Sequence, residues 1–212
     1  MENWFMGLNW KRNLPNIITL MRVVLIFFAI AFLFHSGSSF CMWGIVALSL
    51  SFLLDGVDGV IARKFSMDNN TGALIDTLGD RITENTLLIF FVYKNLIPLF
   101  IPLIFISRSF IADFIRCLAF QKGVGTFSLN TSWLGRCFVA SKSSRTIYLI
   151  LKFMLFLLGS FIITYPDLEL CKFFLLKLVF YIAIVITLIS ILRFFVLVSD
   201  SWGILKEALR SC

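Results

Sequence analysis

Apolar runs of roughly 20 residues recur along this chain, at positions 13–35, 40–63, 72–92, 96–121, 144–165 and 171–197, with short polar stretches between them. At 1.5 Å per residue a helix of that length covers roughly 30 Å, the thickness of a bilayer's hydrocarbon core. The pattern therefore predicts an all-α integral membrane protein with six transmembrane helices in one domain over residues 13–197. Ahead of it, Trp4, Phe5, Leu8 and Trp10 beside Lys11 and Arg12 predict an interfacial amphipathic segment over residues 1–12. Residues 198–212 remain as a tail expected on the cytoplasmic side. The first run follows two basic residues, as a signal peptide would. It is too long for one and no small-residue cleavage site follows, so it is expected to be a retained helix.

Composition agrees. Of 212 residues 59% are hydrophobic, 25 are Phe and only 15% are charged, against about 25% charged in soluble domains. The net charge of +7, from 19 Lys and Arg against 12 Asp and Glu, marks a side of the membrane rather than a nucleic-acid partner. With the N-terminus inside, the cytoplasmic face collects Lys11, Arg12, Arg63, Lys64, Lys122, Arg136, Lys142, Arg145, Lys206 and Arg210. The outer loops hold little beyond Lys94 and Lys172. Both termini are expected in the cytoplasm, most simply at a bacterial inner membrane. The 5 Cys include no C-x-x-C pair and suggest neither a disulfide framework nor a zinc site.

Against this apolar background the stretch LLDGVDGVIARKFSMDNNTGALIDTLGDR, from Leu53 to Arg81, is anomalous. Helix 2 descends to about Arg63, so Asp58 and Asp55 lie about 7 and 12 Å above its cytoplasmic end, at 1.5 Å per residue. Helix 3 climbs from about Gly72, so Asp76 and Asp80 lie about 6 and 12 Å above its start on the same rise. The i,i+3 and i,i+4 spacings keep each pair on one helix face, and the short polar connection makes the helices neighbours. Four carboxylates brought together at equal depth repel unless cations lie among them. Two Mg²⁺ or Mn²⁺ ions would balance them, and such hard ions share carboxylates with substrate phosphates. Acidic residues inside a membrane are functional by default, and this set points to phosphoryl-transfer chemistry. A membrane metal-ion transporter is the rival reading from another class.

The string also fits D-x-x-D-G-x-x-A-R-(x8)-G-x-x-x-D-x-x-x-D at Asp55, Asp58, Gly59, Ala62, Arg63, Gly72, Asp76 and Asp80. It resembles the CDP-alcohol phosphatidyltransferase family. The resemblance implies a homodimer of six-helix subunits that moves the phosphatidyl group of CDP-diacylglycerol onto an alcohol and releases CMP. It implies that Asp55, Asp58, Asp76 and Asp80 are the metal ligands, that Asp80 is also the general base, and that Gly59, Ala62, Arg63 and Gly72 form the CDP pocket. The residues agree that a carboxylate must be the base, because the lone His35 falls at the outer end of helix 1.

The acceptor is read from basic residues. Arg108 falls inside helix 4, where it either pairs with Glu84 or faces the pocket. Asp113 and Arg116 have the spacing of an i,i+3 pair. Lys142, Arg145 and Lys152 share a face at the entry to helix 5. Arg108, Lys142 and Arg145 are expected to hold the phosphate of the acceptor, since an uncharged alcohol needs no such charge. The run NLPNIITLMRVVLIFF resembles the opening of phosphatidylglycerophosphate synthases, which makes glycerol 3-phosphate the first choice. Thr77 and Arg81 stand where those enzymes tend to carry Pro and Lys, so inositol phosphate comes second and an unphosphorylated alcohol third.

Overall fold

The computed structural model describes residues 10–35, 38–64, 70–121, 141–167, 169–203 and 206. Within helices, the side chains at 10–15, 38, 57–64, 70–74, 119–121, 142, 145 and 169–170 lie outside that description. Six helices occupy the described residues: α1 Trp10–Phe34, α2 Ser38–Lys64, α3 Asn70–Tyr93, α4 Phe100–Gln121, α5 Lys142–Thr164 and α6 Glu169–Asp200. Each coincides with one apolar run. No strand occurs among the described residues. Helix α1 begins at Trp10, so the last three residues of the expected interfacial segment, Trp10, Lys11 and Arg12, are helical and continuous with α1; residues 1–9 of that segment lie outside the described residues.

Among the described residues, four stretches are long and apolar enough to cross a membrane: Asn16–Phe34, Ser39–Gly56, Thr146–Thr164 and Cys171–Asp200. Large apolar side chains lie on their open faces, among them Phe28, Trp43, Ile150 and Phe195. A water-soluble chain does not present so much contiguous apolar surface. Helices α3 and α4 have 24 and 22 residues, long enough to span, but each carries charge in its interior: Asp76, Asp80, Arg81 and Glu84 in one, Arg108, Asp113 and Arg116 in the other.

The chain divides into two compact units, one of Met1–Lys94 with Leu157–Lys172 and the other of Asn95–Phe156 with Phe173–Cys212. In the first unit α1 packs against both α2 and α3, around the buried Ile26, Ala29, Leu33, Leu48, Leu87 and Phe91. Antiparallel order follows from the contacts at one end. The Phe34 ring at the end of α1 stacks on Tyr93 at the end of α3, with centroids 5.3 Å apart. Tyr165, just past α5, donates its hydroxyl to the Met42 sulfur near the start of α2, at 3.3 Å. Lys94 lies over the Phe34 ring at 5.2 Å, so the end expected to face outward gathers the aromatic girdle typical of a membrane interface. Asn95, at φ 57°, takes the left-handed conformation that stops α3, as Asn often does at this position.

Two of the tight spots in this unit depend on a missing Cβ. At Gly159 of α5, an added Cβ would come within 2.2 Å of the Phe91 ring, and Phe91 is fully buried. Small residues let membrane helices approach in this way. Gly159→Ala is accordingly expected to lower stability by about 1–3 kcal/mol, although alanine is the better helix former by about 1 kcal/mol. Thermal unfolding in detergent micelles checks the sign.

In the second unit Tyr148 of α5 is buried, and its hydroxyl shares a hydrogen bond with Ser190 of α6 at 3.2 Å. Two cations face its ring: Lys152 Nζ lies 4.4 Å and Arg193 Cζ 5.0 Å from the centroid. Lys152, the deepest member of the predicted basic stripe, thus has an aromatic partner.

Candidate active site

Helices α2 and α3 bring three of the four aspartates together. Asp55, Asp76 and Asp80 each offer a carboxylate oxygen, and the three oxygens lie within 4.8 Å of one another. Asp55 on α2 meets Asp80 on α3, the pair that the helix arithmetic placed level, with Asp76 one turn away on the same face of α3. Asp58 lies in α2, one turn beyond Asp55, but its side chain is outside the described residues. The same holds for Gly59, Ala62 and Arg63 in α2, for Gly72 in α3, and for Lys142 and Arg145 in α5.

The carboxylates do not meet alone. Arg22 of α1, 2% exposed, reaches them with both ends of its guanidinium: Nη1 pairs with Asp55, while Nη2 donates to Asp80 at 2.9 Å and to Asp76 at 3.3 Å. One side chain thereby ties α1 to α2 and α3. At separations of about 4–5 Å, carboxylates repel by about 3 kcal/mol per pair even at an effective dielectric of ~20, so a cation in their midst is a condition of the arrangement. The residues around Arg22 hold it there. Ser51 of α2 donates its hydroxyl to the Arg22 carbonyl at 3.2 Å. Gly79 lies between Asp76 and Asp80, and a Cβ there would come within 2.6 Å of Thr19 Cγ2 and 3.3 Å of the Arg22 Nη2. Glycine at that position lets α1 approach close enough for the guanidinium to reach.

The donor set suits a divalent ion. It is built of hard oxygens, and the Asp76 and Asp80 side chains are 51% and 53% exposed, so they are open to a ligand that also binds phosphate. Arg22 was not among the sequence candidates, nor was Gly79. A lone arginine midway along an otherwise apolar span was the available signal for the first.

Other expectations have local outcomes. Asp113 and Arg116 form the anticipated i,i+3 pair at 3.0 Å. Glu84 lies 3.8 Å from Arg81 on its own helix. Arg108 packs its guanidinium over Phe105, 5.4 Å from the centroid, and its Nε has no hydrogen-bond partner among the described residues. It lines a groove of about 420 Å³ between α4 and α6 with Ser107, Ile111, Phe194 and other apolar neighbours.

Comparison with known proteins reaches the same chemistry by a separate route. Residues 12–189 match the family model described as CDP-alcohol phosphatidyltransferase. The chain belongs to this family. A relative named probable phosphatidylglycerophosphate synthase, from Mycobacterium tuberculosis, is 27% identical over 129 residues, 58% of this chain and 59% of that protein. The chain thus matches somewhat over half the length of that relative. The CDP-diacylglycerol--glycerol-3-phosphate 3-phosphatidyltransferase of Rickettsia bellii is 26% identical over 146 residues, covering 65% of this chain and 81% of the relative. The CDP-diacylglycerol--inositol 3-phosphatidyltransferase 1 of Arabidopsis thaliana is 29% identical over 149 residues, covering 65% and 64%. In this chain the Asp55, Asp76 and Asp80 cluster lies at the motif positions, with Arg22 and Gly79 packed around it.

Close packing at Gly79 makes a test of that assembly. Gly79→Ala is expected to lower the thermal midpoint by about 2–8 °C, the size of a 1–2 kcal/mol loss in a chain of this length, because the methyl group displaces Thr19 or the guanidinium. Midpoints compared in detergent for Gly79→Ala and wild type provide the measurement.

Proposed function

We propose that this protein transfers the phosphatidyl group of CDP-diacylglycerol to the hydroxyl of glycerol 3-phosphate, releasing CMP, as a step of phospholipid biosynthesis. The observation that carries the reading is the approach of Asp55, Asp76 and Asp80 to within 4.8 Å at the motif positions. In this reading Asp55, Asp58, Asp76 and Asp80 hold two Mg²⁺ or Mn²⁺ ions, which when bound neutralise the diphosphate and stabilise the attacking and leaving oxygens. Gly59, Ala62, Arg63 and Gly72 form the CDP pocket. A transporter of metal ions has no use for that nucleotide-binding spacing.

The chemistry assigned to the chain's own groups is an in-line displacement. The acceptor hydroxyl attacks the phosphorus that bears diacylglycerol, its proton passes to a carboxylate oxygen of Asp80, and the bond from that phosphorus to the bridging oxygen breaks, so CMP leaves with the oxygen. Asp80 is half exposed, which leaves it accessible to the incoming hydroxyl. Arg108, Lys142 and Arg145 bind the acceptor's phosphate, Arg offering two parallel donors that match phosphate oxygens. Support for Arg108 comes from its buried Nε, which has no hydrogen-bond partner among the described residues. All six helices cross the bilayer, with the site and both termini at the cytoplasmic face of a bacterial inner membrane. There the lipid chains stay in the bilayer while the nucleotide and acceptor come from water. The subunits act as a homodimer, as the family likeness implies.

Glycerol 3-phosphate is preferred because the Rickettsia relative is named for glycerol 3-phosphate and the Mycobacterium relative as a probable phosphatidylglycerophosphate synthase. The Arabidopsis relative, named for inositol, together with Thr77 and Arg81, supports an inositol-type acceptor, phosphorylated or not, as a second reading. Turnover of CDP-diacylglycerol by purified protein with Mg²⁺ or Mn²⁺ and a panel of acceptors decides between them. Equal use of an uncharged alcohol would remove the case for a phosphate-binding set.

Asp80→Asn is expected to cut transfer by at least about a thousandfold while the protein stays folded, since it removes both a ligand charge and the base. Asp167→Asn, in the exposed turn before α6, should leave the rate unchanged. Near-normal turnover by Asp80→Asn sinks the base assignment.

For the acceptor, Arg108→Ala should raise the KM for glycerol 3-phosphate about tenfold or more, the size of one lost charge-assisted contact, and leave the KM for CDP-diacylglycerol within about twofold. A change confined to the donor KM would move Arg108 out of the acceptor pocket.

A further inference from the structure

We propose that Arg22 is a fixed cation of the aspartate site that shares the carboxylates with incoming divalent ions, so that it holds the site assembled before loading and holds down its affinity for metal. The inference rests on the metal-site reading above. It starts from three observations. Arg22 is buried deep in an apolar span, a costly place for a charge unless its position is used. Its two terminal nitrogens are committed to the three carboxylates that converge, and not to any acid on its own helix. The backbone is shaped for the approach, through the Ser51 hydroxyl on the Arg22 carbonyl and the absence of a Cβ at Gly79.

The consequence is electrostatic. Three carboxylates against one guanidinium leave the described cluster with a formal charge of −2, and without Arg22 it would be −3. A divalent ion entering beside Arg22 meets a positive charge a few ångströms away and finds carboxylate lone pairs already engaged. It must share Asp76 and Asp80 or push the guanidinium aside. Binding is therefore weaker than four acids alone would give, and strong retention of metal waits for the further negative charge that a diphosphate brings. Arg22 is in this sense a positioning residue: it acts on the ions and ligands rather than on the reacting atoms.

A structural role alone and this role differ in a measurable way. The purified full-length protein in detergent is titrated with Mn²⁺, with no lipid or nucleotide present, and free Mn²⁺ is followed by its paramagnetic resonance signal. Thermal midpoints are recorded in EDTA and at saturating Mn²⁺. Arg22→Met, which keeps side-chain volume and removes the charge, should bind Mn²⁺ at least about tenfold more tightly than wild type, since one unit charge near a divalent ion is removed. Its midpoint should fall below wild type in EDTA, and most of that deficit should disappear with Mn²⁺. Arg22→Lys, which keeps the charge, should stay within about threefold of wild-type affinity. If Arg22→Met does not fold, Arg22→Gln serves the same comparison. Unchanged or weaker Mn²⁺ binding, with the same loss of midpoint in EDTA and in Mn²⁺, overturns the proposal and leaves Arg22 as a packing residue while the metal reading stands. No Mn²⁺ binding by wild type and Arg22→Met alike overturns the metal reading, and this inference with it.

Discussion

A single buried guanidinium sets the geometry of the half of the chain that carries the motif. Arg22 lies in the apolar stretch of α1, contacts acids on α2 and α3, and thereby fixes the rotation of three helices about their axes. Hydrophobic packing alone does not do this, because lipid is as apolar as the side chains that would pack, and membrane helices gain specificity from close approach and polar contacts. Both operate here. The close approach is at Gly79, the polar contact is the ion cluster, and each requires the other: a larger residue at 79 would hold α1 away, and without the guanidinium the three carboxylates would separate.

The arrangement also explains how a chain with so few charges can keep acids at membrane depth. An isolated carboxylate there would take up a proton rather than stay ionised. Paired with Arg22 and half open on one side, Asp76 and Asp80 each present carboxylate oxygens of the kind that hard cations take. Burial of the cation and exposure of the anions are therefore complementary. The charge that needs shelter is inside, and the groups that must meet a ligand look outward.

Much of this was legible in the sequence because it depends on local periodicity. Six runs of spanning length became six helices, with ends displaced by only a few residues, and the rise per residue, with the i,i+4 spacing on α3, anticipated the approach of Asp55 to Asp80 and Asp76. The Asp113 to Arg116 pair was legible for the same reason. Arg22 was not. Its partners lie 33, 54 and 58 residues away by numbering, and no spacing rule links positions that far apart. The run containing it was read as a likeness to related enzymes rather than as a charge in need of a partner. Glu84 has Arg81 one turn away on its own helix, a pairing that the i,i+3 spacing offers. The rule these cases share is that a buried charge takes an i,i+3 or i,i+4 partner when its own helix offers one. Arg22 has no acid anywhere on α1, so its partners had to come from other helices.

That rule bears on Arg108 as well. Asp113 is the only acid on α4, five positions on from Arg108, and it is taken by Arg116. Arg108 keeps an aromatic contact and an unsatisfied Nε on the wall of an apolar groove. Arg22 answers the same lack of a local partner by neutralising acids that the chain itself supplies. Arg108 has no such acid among its described contacts, and what meets its guanidinium is the Phe105 ring. Two arginines at helix interiors thus meet the cost of burial differently: Arg22 by neutralising acids of neighbouring helices, Arg108 by packing against an aromatic face.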